Sequence, residues 1–476
     1  MSQPAFKRYR SLSPRCFMRL RAGCSLAFAF CSAMLVLPCV ARAQTDQSLR
    51  GKISQLFIFG SGEDPLFLAG SADPSNPASI QAHGAHFVPS AVSANGSLIG
   101  FITGAIATSV GNLPIGATSG GTTFRFEGGV PVKTSTSAGP IFAERAQTLG
   151  QGRTIVGIGQ NSFHFTSLRG VPLDDIELIF THENVTDATF PGCSAAQGGD
   201  CSKMGIPNLE NDIMQFRLNL DLNITVTNLY ATYGLTDRLD VGVVVPLVSS
   251  HLHGESFAQI IPFGGPTAAH FFAGTPANPV LSASRDVDGS SFGVGDVSVR
   301  SKFKIHESDK SRVALLGEAR FATGAADDML GAGVFTARGM AIVSGIVGDF
   351  SPHANVGYAY HARTGDLPWN DAVTATAGFD DLIAPRVTLA ADLVSELQVG
   401  RSNLRLPGPV TYDAPFHRVI QPTTIPDERD DLVNGSFGFK FQLPNAFTAV
   451  GNVLFPLNRG GVRPNVIYTT ALEFNF

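Results

Sequence analysis

The sequence predicts an all-β protein, a transmembrane antiparallel up-and-down β-barrel of about 14 strands, within a range of roughly 12–16. Three observations predict it. Charged residues make up 15% of the 476, where soluble domains carry about a quarter, while Gly (51) is abundant and Phe (35) dominates the aromatics. No apolar run after residue 43 reaches the roughly 20 residues a membrane helix needs. Segments of strict two-residue alternation recur down the chain, each with one apolar and one polar face. A chain this apolar, with no helical way across a bilayer, is reconciled by strands whose outward side chains meet lipid and whose inward ones meet a polar lumen.

The N-terminus reads as a secretory signal peptide over residues 1–43. Lys7, Arg8, Arg10, Arg15, Arg19 and Arg21 precede an apolar run from Cys24 to Val40, and Ala41-Arg42-Ala43 offers a small-x-small cleavage site. Pro38 sits where lipid attachment to Cys39 would need a small residue. The segment carries seven basic and no acidic side chains, so its removal takes the formal charge from −5 to −12. An acidic chain lacks the basic footprint that nucleic acid requires, and no nucleic-acid partner is expected. Four of the six cysteines leave with the signal. The other two, Cys193 and Cys201, lie eight apart in a loop-like stretch and are expected to form one disulfide in an oxidising compartment. A metal pair is the alternative, but no His or acidic cluster completes a ligand set.

Residues 44–118 do not share the strand rhythm. Ser93 to Val110 is small-residue rich and weakly helical, and the stretch is read as either a plug in the lumen or a periplasmic extension. The barrel is assigned to 119–476. Its clearest strand alternates Phe216, Leu218, Leu220, Leu222, Ile224 and Val226 with Arg217, Asn219, Asp221, Asn223, Thr225 and Thr227. Others are legible at 294–307, 312–323, 333–349, 354–361, 372–379, 386–398, 432–443, 447–457 and 466–476. Less regular ones lie at 122–127, 154–166 and 176–182.

Connection lengths test the topology, because bacterial barrels have short periplasmic turns and longer outer loops, with both chain ends in the periplasm. Counting back from Phe476, the connections that must be periplasmic are 443–446, 380–385, 350–353, 306–311, 233–238 and 167–175, all compact. Those that must face outward are 458–465, 399–430, 362–371, 324–332, 251–293 and 183–211, several of them long. Such segregation has no cause in a soluble sandwich.

If apolar residues face lipid, the lumen is lined by Arg217, Asn219, Asp221, Asn223, Arg300, Lys302, Lys304, Glu318, Arg320, Asp392, Glu396 and Lys440. Both signs occur, where an ion-selective pore would show rings of one sign. Many of these side chains are also expected simply to pair across strands. No G-x-S-x-G elbow, H-E-x-x-H or phosphate-cradling loop is present. His251 and His253 share one face of an extended segment, a spacing open to a metal, though loop histidines commonly hold none. No catalytic residue and no cofactor is assigned.

Two resemblances add direction. The last strand, VIYTTALEFNF, resembles the C-terminal strand of bacterial outer-membrane barrels, which implies that Tyr468, Leu472, Phe474 and Phe476 act as an assembly signal for the barrel-assembly machinery. YGLTDRLDVGVVVPLV (Tyr233 to Val248), GVGDVSVRSKFK (Gly293 to Lys304) and EARFATG (Glu318 to Gly324) together resemble the outer-membrane proteins associated with the meta pathway of phenol degradation. Ala322 stands where that pattern expects a Pro, and the N-terminal region is longer than usual. The resemblance implies an outer-membrane channel of a Gram-negative bacterium, with lipid around it and passive passage of small aromatic or apolar solutes. A barrel with a structural or surface-interaction role is the alternative, and an outer-membrane lipid hydrolase a remoter one.

Overall fold

The computed structural model describes residues 48–59, 124–127, 130–133, 137–180, 213–262, 271–275, 277–363, 370–403, 406, 408–412 and 417–476. Twelve antiparallel strands close into a ring, the lower end of the expected range. In chain order they are β1 (Thr154–Leu168, continued by Ile176–Phe180), β2 (Ile213–Gly234), β3 (Leu239–Ile261) and β4, in two segments (Ser282–Val294 and Ser298–Glu307). There follow β5 (Ser311–Arg320), β6 (Thr336–Gly345), β7 (Phe350–His361), β8 (Ala372–Ala384), β9 (Val387–Gln398), β10 (Leu432–Gln442), β11 (Phe447–Pro456) and β12 (Val462–Asn475). β12 pairs with β1, Tyr468 opposite Ser162 and Phe474 opposite Val156, so the sheet has no open seam there. Residues 124–127 pair with 130–133 as a separate hairpin and add no barrel strand.

The short connections at 233–238, 306–311, 380–385 and 443–446 fall at the end that holds the start of β1 and the close of β12. The turn expected at 350–353 lies a few residues earlier, between Gly345 and Phe350. The connection at 167–175 is a correction. Phe165 opposes Leu222 and Ile176 opposes Leu218, so both segments of β1 run the same way along β2 and residues 169–175 are an excursion near the outer end, not a periplasmic turn. The excursion is bridged by the Leu220 N–H, which donates to the Leu173 carbonyl (2.8 Å).

β4 contains a bulge, since three residues between Val294 and Ser298 face two on β3 between Leu247 and Val244. An extra residue re-aims a side chain without ending the ladder. Here it turns the Asp296 carboxylate onto the loop after β5, where it accepts from the Gly324 N–H (2.9 Å) and the Ala332 N–H (2.7 Å). The loop that carries Ala326–Asp328, a 3₁₀ turn, is thereby drawn against the wall, and Ser250 and Ser291 donate to the carbonyls of Met329 and Asp328.

The outside of the ring carries Leu229, Tyr233, Val299, Phe303, Leu315, Val343, Val356, Tyr358, Leu393, Phe437, Phe455, Tyr468 and Leu472, all exposed. A continuous exposed apolar surface of this kind is a membrane-contacting belt. The buried core lies inside the ring.

Strand length divides the barrel into two storeys. β5 to β12 have 10–14 residues, close to the 9–11 that cross a bilayer, while β2 has 22 and β3 has 23. The surplus on β2 and β3 stands beyond the membrane. There the outward face meets water and carries Arg217, Asn219, Asp221, His251, His253 and Glu255, while Leu218, Leu220, Leu222, Ile224 and Leu252 point inward.

Candidate functional site in the lumen

Two pieces of the chain fill the ring from within. In the outer storey lies α1 (Leu49–Gln55), started by Ser48, whose hydroxyl accepts from the Gly51 N–H (3.2 Å). Leu49, Ile53, Leu56 and Phe57 are buried against β2, β3 and β4, and Phe57 stacks on Phe216 at 4.6 Å between ring centroids. Phe59 meets Phe216 and Phe272 edge-on. The chain end of the helix is satisfied by the wall: Ser256 donates to the Leu56 carbonyl (2.7 Å) and Arg285 to that of Ile58 (2.7 Å). Gly254 and Gly289 clear the space, since a β-carbon there would stand 2.8 Å from Leu56 and 2.7 Å from Lys52. The remainder of 44–118, the disulfide candidates Cys193 and Cys201, and residues 1–43 lie outside the described residues.

In the membrane storey, residues 137–149 run through the lumen as an irregular strap. They form no ladder with the wall, so their backbone groups are taken up by inward side chains. Ala138 N–H donates to Thr388 (2.8 Å), Phe142 N–H to Asp392 (3.4 Å), Glu144 N–H to Asn355 (3.2 Å), Ala146 N–H to Ser344 (3.2 Å) and Leu149 N–H to Asp240 (3.0 Å). Thr388 and Asp240 stand on opposite arcs of the ring, so the strap spans it. Arg145 is its strongest attachment: the guanidinium pairs with Asp380 and donates to Ser137, all three groups being buried. His353 sits behind, with Nε2 2.6 Å from Asp392 and Nδ1 3.4 Å from Asp380. Farther along, Glu144 faces Lys302 (3.4 Å) and Arg300 (3.7 Å), and Arg300 in turn meets Glu318 (3.0 Å), which also pairs with Arg320 (2.9 Å). On the far wall Lys440 lies 3.6 Å from Glu473, which accepts from the Tyr230 hydroxyl (3.1 Å). At the outer rim Asp371 is partly buried, which raises its pKa, but hydrogen bonds from the Tyr358 hydroxyl and the His361 N–H outweigh this and hold it below the usual carboxylate value.

Small voids in the lumen are lined by described residues. One, of about 20 Å³, lies between Ile141, Asn161, Lys440 and Glu473; another, of about 50 Å³, lies beside Phe142. The first holds about one water and the second a few, on the order of 10–15 Å³ being needed for each.

Of the residues read from sequence as lining the lumen, Arg300, Lys302, Glu318, Arg320, Asp392 and Lys440 are inward and buried, and Lys304 and Glu396 share their face. Arg217, Asn219, Asp221 and Asn223 are a correction. They face outward, because Leu220 and Gly254 oppose each other against α1, which turns Asp221 and its partner His253 away from the lumen. There Asn223 bonds to His164 (2.7 Å) and Asp221 (2.7 Å). His251 and His253 are likewise exposed on the outer face, and among the described residues no three His, Cys, Asp or Glu side chains are grouped to hold a metal. Tyr468, Leu472, Phe474 and Phe476 lie on the lipid-facing side of β12, where Phe474 packs on Phe447 and Phe476.

The strap residues Glu144 and Arg145, with Asp240, Asp296, His353 and Asp380, carry no mark in the sequence that singles them out. Asp380 fell in an expected turn, whereas β8 continues through it to Ala384. The strap itself has no period to read.

An outwardly apolar, inwardly polar ring of twelve strands with its lumen filled from the N-terminal side is an outer-membrane β-barrel. The family model described as "Putative MetA-pathway of phenol degradation" matches residues 214–384, a stretch that holds all three internal motifs noted in the sequence. No curated protein matches the chain. Among solved structures, an outer membrane channel from Pseudomonas putida F1 is 12% identical, covering 70% of this chain and 98% of that one at a TM-score of 0.37. The toluene transporter TbuX of Ralstonia pickettii is 9% identical, covering 77% of this chain and 98% of that one at a TM-score of 0.32.

Proposed function

We propose that the chain is a channel of the outer membrane of a Gram-negative bacterium, described here in its closed state, for passive passage of small apolar or aromatic molecules. The observation that carries this reading is the way the lumen is closed. Strap and helix are held by side-chain contacts alone, so either can leave without breaking a strand ladder, and what they uncover is graded. The outer storey would expose Phe216, Leu220, Leu252 and their neighbours to an incoming apolar solute, and the membrane storey a polar, mixed-charge passage beneath it. The description of the matched family points to aromatic compounds. No bond is made or broken in this scheme. Both nitrogens of the buried His353 face carboxylates, which leaves it poorly placed to activate a hydroxyl.

Purified protein in liposomes tests the reading: toluene or benzyl alcohol should equilibrate faster than across protein-free membranes, and discrete conductance steps should appear in planar bilayers. A second reading, a structural barrel without transport, is favoured by the small size of the voids beside Ile141 and Phe142. Membranes equally permeable with and without the protein would select it.

A further inference from the structure

We propose that the void beside Phe142 is a solute-binding subsite for an uncharged molecule of single-ring size bearing a hydroxyl or carbonyl oxygen; this rests on the channel reading and adds the ligand chemistry to it. The void, about 50 Å³, lies between the strap and the inner wall. Phe142, Met340 and Val394 give it an apolar side, and Arg338, Thr374 and Glu396 a polar one. Two buried atoms at that polar side, Arg338 Nε and Thr374 Oγ1, have no hydrogen-bond partner among the described residues. A buried N–H without an acceptor is costly, so a ligand oxygen that accepts from Arg338 while exchanging a hydrogen bond with Thr374 would satisfy both.

Size and charge restrict the ligand further. An aromatic ring needs a cavity of roughly 150 Å³, so this void takes one only when a ring-sized group departs. Phe142 is that group. Its ring is buried on a strap that pairs with no strand, and it already occupies a surface shaped to receive an arene. Glu144 and Glu396 border the same space, which disfavours a carboxylate ligand, and Arg338 disfavours a cation.

The test uses the full-length protein in detergent or nanodiscs, with benzyl alcohol, toluene and benzoate as probes followed by calorimetry or ligand-observed NMR. Benzyl alcohol should bind at least fivefold more tightly than toluene, and benzoate not measurably. Thr374→Val should weaken benzyl alcohol about fivefold and leave toluene unchanged, the loss of one hydrogen bond. Phe142→Ala should tighten both. Heat-modifiable migration on gels reports that each variant is folded. Equal affinity for benzyl alcohol and toluene, or a Thr374→Val protein that binds like the parent, would overturn the subsite. Liposome flux separates the two claims: flux without Thr374-dependent binding removes the subsite and leaves the channel, whereas binding without flux removes the channel and leaves the subsite.

Discussion

Val226 on β2 and Val248 on β3 oppose each other across the ladder, both buried against the lumen, at the height where apolar side chains change face. Outward of this pair the buried apolar set is inward on both strands: Leu218, Leu220, Leu222 and Ile224 on one, Leu252, Ala258 and Ile260 on the other. On the membrane side the outward face carries Leu229 and Tyr233 on β2 and, on β3, Val241, Val243, Val245 and Leu247. The pleat does not change; the surroundings do. Val226 and Val248 therefore mark the level at which lipid outside gives way to water.

Substitution on either side of that level should have opposite consequences. Leu229→Arg places a charge in lipid close to the interface and is expected to cost about 1–3 kcal/mol, while Asn223→Arg, a few residues up the same strand, faces water and should stay within roughly 0.5 kcal/mol of the parent. Reversible urea unfolding in phospholipid vesicles measures both. Equal costs would mean that the two residues share one environment.

This change of face also explains what the sequence disclosed and what it hid. Alternation identifies a strand but not which side meets lipid, and Phe216 to Val226, the most regular run in the chain, was assigned to the bilayer although it stands above it. A mark was present: the apolar positions are even-numbered through Val226 and odd-numbered from Leu229. Short turns were legible because Gly, Asp and Pro punctuate them, and the inward charges of β4, β5, β9 and β10 because they alternate with lipid-facing residues. Glu144 and Arg145 lie in a segment whose backbone N–H groups bond to distant wall side chains, and no local period can announce them.

Arg145 fixes the strap, and its removal should open the passage. Breaking one partner of a buried ion pair costs about 3–5 kcal/mol, toward the lower end here because His353 stands beside the Asp380 that is left behind. Arg145→Ala should therefore assemble normally, since no ladder bond is touched, yet show larger or more frequent conductance steps and faster proteolysis between residues 137 and 149. Arg145→Ala with Asp380→Asn removes the uncompensated charge and should recover part of the closure. Parental conductance in the single variant would rule out a closing role for the pair.

Asp296 holds the loop after β5 by two bonds from backbone N–H groups to one carboxylate, each worth about 1.5–3 kcal/mol. Asp296→Ala should leave barrel unfolding nearly unchanged while amide exchange at Gly324 and Ala332 accelerates at least tenfold. If exchange at those two positions is unaltered, the bulge serves the wall and not the loop.

The seat of α1 depends on Gly289, where an added β-carbon would meet both Lys52 and Leu49 at under 3 Å. Lys52 can swing away, but Leu49 is buried and has nowhere to go. Gly289→Leu is expected to overpack the contact by about 1–3 kcal/mol and to expel the helix, because β4 is fixed by its ladder and α1 is not. Amides of residues 49–56 should then exchange faster than in the parent while those of β3 and β4 keep their protection. Were the strands to lose protection together with the helix, the helix would be part of the barrel's folding core and could not act as a removable stopper.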